Sequence, residues 1–289
     1  MGIIATNTSV QIGKLKERGL NLDLGEEKIK EVLLDIGYYR LGFYWNPFEI
    51  DGEHNFRPEA KFSDALALYY LDVDLRNLLM RLLNRIEINF RTKVVYYVSN
   101  KYKKSPTWFI DPEVMTHDFI GAISQHYNEE FIKNNKTIKL HHRNNINDKY
   151  APAWKTLEFF TFGTILKIYK SVKNNEIKER IAGLYDVRNV KKFENLMNTV
   201  VHIRNICAHG GVLFDLQLPK GISAHPAITF NNNNRHSLDS AIKVVHYILS
   251  QISSNRAADL DNEIKMLFDK CAANQSLKSI IEDKIGYSF

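Results

Sequence analysis

Arg204, Asn205 and His209 stand close together in "NTVVHIRNICAHGGVLFD", residues 198–215, where an apolar helical pattern runs into two glycines. These residue types suit phosphoryl chemistry. A guanidinium stays charged at physiological pH and presents several N–H donors to phosphate. An imidazole titrates near neutrality, so it can take a proton from a ribose 2′-hydroxyl or deliver one to a leaving 5′-oxygen. Arg204 would stabilise the extra negative charge of a phosphorane-like transition state. Such a reaction needs no metal, because the nucleophile is already part of the substrate. It works best with both an acid and a base, and the motif brings one histidine. A symmetric dimer that opposes two copies of this helix end supplies the second.

The spacing makes demands on the element. Phe193, Met197, Val200, Arg204 and Cys207 recur at helical intervals, so Arg204 lies on an apolar stripe and must find an anion or an opening to solvent. His209 is five residues further, about 140° around an ideal helix. The pair diverges unless the helix ends between them. Gly210 and Gly211 predict that end, which frees His209 to swing toward Arg204. Asn205, four residues before His209, is expected to hydrogen-bond the imidazole, and the negative helix end to favour its charged form. The same residues also read as ordinary C-terminal capping, with Arg204 bridging to Glu87 or Glu158. A metal reading through His202, Asn205 and His209 lacks a carboxylate at matching spacing, and no metal or cofactor is expected.

Helices must do the positioning. Between Pro58 and Pro106 the chain has neither proline nor glycine, and Leu71, Leu75, Leu78, Leu79, Leu82, Ile86 and Phe90 predict one long helix. A second stripe on it carries Arg76, Met80, Leu83, Glu87 and Val94, so Glu87 needs a cationic partner if buried, and Arg91 stands one turn on. Arg76, Arg81 and Arg85 are candidates for phosphate contact, or else a solvated face. Two short helices are predicted over residues 9–35, and the aromatic "GYYRLGFYWNPF" is expected to be a packing wedge. Asp51-Gly52 suggests a hairpin tip. Residues 133–150, "KNNKTIKLHHRNNINDKY", read as an exposed loop or frayed helix in which His141, His142 and Arg143 can touch a phosphate backbone. Helical patterns resume from Trp154 to Tyr169, with a possible shift at Gly163, and continue to the C-terminus with Ser237 as an N-cap. "PAITF" is the best strand signal. The fold class is therefore all-α, antiparallel helices around one core, with residues 1–58 as a small N-terminal extension and 59–289 as the helical domain.

Composition adds bounds. The 289 residues are 44% hydrophobic and 25% charged, ordinary for a globular protein, and 39 Lys plus Arg against 33 Asp plus Glu give a net charge of +6. That mild bias favours a polyanionic partner without naming one. Cys207 and Cys271 alone form no disulfide framework, the N-terminal segment lacks an export pattern, and no run approaches the roughly 20 apolar residues of a membrane span. A cytoplasmic protein without a membrane partner is expected.

Arg204-Asn205, three residues and His209 resemble the R-x4-H motif of HEPN ribonucleases. "QIGKLKERGLNL", "IGYYRLGFYWNPF", "FSDALALYYLDVDLRNLLMRLLNRIEINFRTKV", "PAWKTLEFFTFGTILKIY" and "RNICAHGG" resemble, in order, the Abi-type abortive-infection proteins of the AbiD/AbiF group, over roughly residues 9–215. That resemblance implies an all-α HEPN-type bundle, a homodimer with a composite site, and a metal-independent endoribonuclease toxin of antiphage defence. RNA rather than DNA is the implied substrate, and a structured noncoding RNA the implied antitoxin. Arg204 and His209 are then the catalytic pair and Asn205 their polar supporter. Relatives often hold further basic or aromatic residues after the motif; here Gly210–Asp215 brings no basic side chain, so it offers no additional cation. The other reading is a non-catalytic RNA-binding module in which Arg204 and His209 recognise phosphate or maintain the fold.

Overall fold

Local chemistry sets the helix ends. In the computed structural model, which describes residues 4–289, the Asn7 side chain accepts the Val10 N–H and opens α1 (Thr8–Glu17). The first three residues of the extension, and of the segment read for export signals, lie outside the described residues. Helix α2 (Glu26–Asp35) begins with two glutamates at its positive end, and α3 (Tyr38–Trp45) is stopped by a 3₁₀ turn holding Pro47. An isolated antiparallel bridge between Glu49 and Phe56 closes the Asp51-Gly52 turn. Then α4 (Phe62–Lys101) runs unbroken for 40 residues, about 60 Å at the helical rise.

Smaller helices follow: α5 (His117–Gly121), α6 (Glu129–Asn134), α7 (Lys136–Asn144) and α8 (Ala153–Thr156). Residues 136–144 are thus helix rather than loop, because Ile138 and His141 are buried on one side. The pattern from Trp154 to Tyr169 does not form one helix. After α8 comes a 3₁₀ turn at Leu157–Phe159, an extended Phe160, and α9 (Phe162–Ser171) capped by Thr161. The remaining helices are α10 (Asn175–Gly183), α11 (Val190–Ala208), α12 (Leu238–Ser250), α13 (Ser254–Ala272) and α14 (Gln275–Lys284). Ser237 caps α12 through the Ser240 N–H, as its position predicts. "PAITF" forms no strand: Ile228 is buried within a loop, and the described residues hold isolated bridges only.

The fold is all-α. Helix α4 is its axis, with α3, α9, α10, α11, α12 and α13 packed along it. One continuous apolar core runs from Ile12 to Ile285, so the described part of the extension shares the core of the bundle. Among the described residues no helix is long and apolar enough to cross a membrane.

Candidate active site

Helix α11 ends in a Schellman motif. Its C-cap is His209, the Gly211 N–H returns to the Ile206 carbonyl at 2.9 Å and the Gly210 N–H to the Cys207 carbonyl at 3.5 Å. Gly210 takes the left-handed conformation, φ +64°. His209 itself, at φ −100° and ψ 12°, still gives its N–H to the Asn205 carbonyl at 3.0 Å. The glycines therefore do not pull His209 off the helix; the chain reverses one residue later. The imidazole lies exposed at the rim of the helix end. The Asn205 amide oxygen accepts from Arg204 Nη1 at 3.4 Å, where the sequence suggested a bond to the His209 ring.

Arg204 is held from below. Its Nε donates to Glu87 Oε2 at 3.0 Å, and the other oxygen of that carboxylate accepts from Arg91 Nη2 at 2.7 Å. Arg91 Nη2 also reaches the Phe160 carbonyl at 3.0 Å, which the extended residue between α8 and α9 leaves free. Glu87 is 8% exposed, so one buried carboxylate is shared by two guanidinium groups and is satisfied on both oxygens. The Arg204 side chain stays 21% exposed although it is anchored at Nε. Glu158, the other suggested partner, is 65% exposed and lies 3.9 Å from Arg91, one step away from Arg204.

The loop after the motif is latched to α4. Arg76 Nη1 donates to the carbonyls of Gly210 at 3.1 Å and Gly211 at 2.5 Å, and lies 3.4 Å from Asp72 Oδ2. The cation at this negative helix end is thus Arg76. Asp72 Oδ1 accepts the N–H groups of Leu213 at 2.9 Å and Phe214 at 2.8 Å, while Oδ2 accepts the Tyr44 hydroxyl at 2.8 Å. Burial pushes the Asp72 carboxyl above its usual range, opposed by Tyr44, Arg76 and the two backbone N–H groups. Burial likewise pushes Tyr44 up, which keeps its hydroxyl a donor, and pushes Cys207 up to about 12.

The arginine and histidine candidates for RNA contact separate accordingly. Arg76 is a buried latch and not a surface group. Arg81 is exposed but pairs with Glu263 of α13. Arg85 and Arg143 are exposed. His141 is buried with Nε2 3.1 Å from Asp148, and His142 Nε2 is bonded to the Tyr127 hydroxyl at 2.7 Å, which ties α7 to Tyr127. Asp72 and Tyr44 join the network without standing among the residues that the sequence motif points to. The signal for Asp72 is the second stripe of α4, which extends one turn from Arg76 back to it; Tyr44 stands in the aromatic segment of α3, where nothing in the local spacing singles it out. Among the described residues no group of three or more His, Cys, Asp or Glu side chains is gathered as metal ligands.

The assembly brings together a guanidinium held by a buried carboxylate, an exposed imidazole five residues on, and a helix end locked by two α4 residues. Residues 31–215, more than half of the chain, match the model of a family described as Abi-like protein. The matched span contains every residue of this network, from Tyr44 to Phe214. No curated protein and no solved structure matches the chain.

Proposed function

The chain belongs to the Abi-like protein family, and from that premise we propose that it is a HEPN-type endoribonuclease, the metal-independent toxin of an AbiD/AbiF-like abortive-infection system. The observation that carries this reading is the way Arg204 is held. Its Nε is bound to buried Glu87 and, among the described residues, Nη1 reaches only the exposed neighbouring Asn205 side chain, so the guanidinium stays 21% exposed beside the exposed His209. Arg76, by contrast, is buried and spends Nη1 on two backbone carbonyls of the fold.

In the proposed reaction a base removes the proton of a ribose 2′-hydroxyl, and the 2′-oxygen attacks the adjacent phosphorus. The bond from phosphorus to the 5′-oxygen breaks, and an acid protonates the departing oxygen. The products are a 2′,3′-cyclic phosphate and a free 5′-hydroxyl. Arg204 neutralises the additional charge on the phosphoryl oxygens at the transition state. His209 serves as base or acid, and the complementary role falls to His209 of a second copy in a homodimer. Inhibition by a structured noncoding RNA is part of the same proposal.

His209→Ala and Arg204→Ala should each lower RNA cleavage at least about 100-fold, within the usual range for a general acid or base, while leaving the circular dichroism spectrum intact. Cleavage by the parent protein should survive EDTA and leave cyclic phosphate ends. Undiminished cleavage or toxicity in the His209 variant would remove the assignment, as would activity lost to EDTA and restored by zinc.

A further inference from the structure

The aromatic segment of α3 is only partly a packing wedge. Leu41, Tyr44 and Trp45 are buried, but Tyr39 is 83% and Phe43 43% exposed, their rings edge to face at 5.5 Å. Both line a cleft of about 470 Å3 between α1, α3 and the turn at residues 46–54. Across it stand Lys14 and Arg18, one helical turn apart and both half-buried. Among the described residues neither has a carboxylate at ion-pairing distance; Lys16, which faces away from the cleft, takes Glu26. Arg18 donates to the Tyr38 hydroxyl at 3.4 Å, and burial keeps that phenol protonated. The one carboxylate in the cleft, Glu49, is engaged by His54 Nδ1 at 2.8 Å.

Two partly desolvated cations, with the only carboxylate of the cleft engaged by His54, call for an anion. Exposed aromatic rings beside them call for a flat apolar face. We propose that this cleft binds a nucleoside phosphate, free or as an unpaired residue of an RNA strand, with the base on Tyr39 and Phe43 and the phosphate on Lys14 and Arg18. Glu49 and Asn46 offer polar atoms to the base edge. The site contains neither Arg204 nor His209 and does not rest on their being catalytic.

The test uses the full chain carrying His209→Ala, so that no probe is consumed. A 12-residue oligouridylate containing 4-thiouridine, and UMP and AMP separately, are titrated against it. Tyr39→Ala with Phe43→Ala should weaken binding at least tenfold. Lys14→Ala should flatten the dependence of log affinity on log salt by about 0.7 for a single strand. Photocrosslinks should map to residues 38–43. Variant-sensitive binding of the oligonucleotide alone assigns an RNA strand, and saturation by UMP or AMP assigns a free nucleotide. Absent binding of all probes, affinities untouched by the aromatic pair, or crosslinks confined elsewhere would overturn the site. Crosslink mapping needs no change in the cleft and decides the matter even if a cleft variant misfolds. Loss of this site with cleavage still dependent on His209 would leave the proposed ribonuclease intact, and the reverse result would leave the cleft.

Discussion

Glu87 and Glu158 show how differently two carboxylates near one arginine pair can weigh. Glu87 is buried between Arg91 and Arg204, so removing it leaves two guanidinium groups without their anion. Glu87→Ala should therefore destabilise the protein by about 3–5 kcal/mol, the range for a broken buried pair. Glu158 is 65% exposed and 3.9 Å from its partner, and Glu158→Ala should stay within about 0.5 kcal/mol. Urea denaturation of the two variants measures the contrast. Equal losses would mean that Glu87 does not anchor Arg204. The sequence made Glu87 legible as a carboxylate on an apolar stripe that needed a cation. It did not rank Glu87 over Glu158, because that ranking depends on burial.

At the scale of the element, the end of α11 rests on two glycines for different reasons. Gly210 has positive φ, and a Cβ there meets nothing within 4 Å, so Gly210→Ala should cost only about 1–2 kcal/mol of backbone strain. Gly211 has no such dihedral, but a Cβ would stand 2.9 Å from Ile206 Cγ2 and 3.4 Å from the Ile206 Cα and carbonyl. Gly211→Ala must therefore push the loop away from the last turn of α11 and loosen the carbonyls that Arg76 holds. It should lower the denaturation midpoint more than Gly210→Ala, and the proposed RNA cleavage more again. A Gly211→Ala protein as stable and active as the parent would show that the loop has slack. The glycine pair announced a helix stop in the sequence. Which glycine is dihedral and which is steric follows from the return of the chain onto Ile206.

At the scale of the whole molecule, Asp72 ties two distant parts of the chain to the axial helix: Tyr44 of the extension and Leu213-Phe214 after the motif, with Arg76 one turn on beside it. Its carboxyl is raised in the folded state, so its contribution to stability is fully present below the unfolded value, near about 3.9, and is lost as pH rises through the folded value. Asp72→Asn removes this dependence while keeping an acceptor for the two N–H groups. The variant's stability deficit should narrow as pH is raised from about 4 toward neutrality, read by urea titrations at several pH values. A deficit that widens over that interval would mean that the hydrogen bonds outweigh burial and hold the carboxyl below its usual range.

The sequence by itself determined the all-α class, the unbroken α4, the stop after His209, and the need of Arg204 and Glu87 for partners. All of these follow from periodicity and local backbone preference, which act within a few residues. Only the tertiary structure decided that Glu87 is the partner of Arg204, across 117 residues, and that Arg76 holds the Gly210 and Gly211 carbonyls rather than facing solvent. It also decided that His141 is buried, that His142 is bonded to Tyr127 and that Tyr39 and Phe43 line an open cleft. A helical stripe says that a charge is on the packed side; which opposite charge meets it depends on how the helices cross, and no local spacing encodes that.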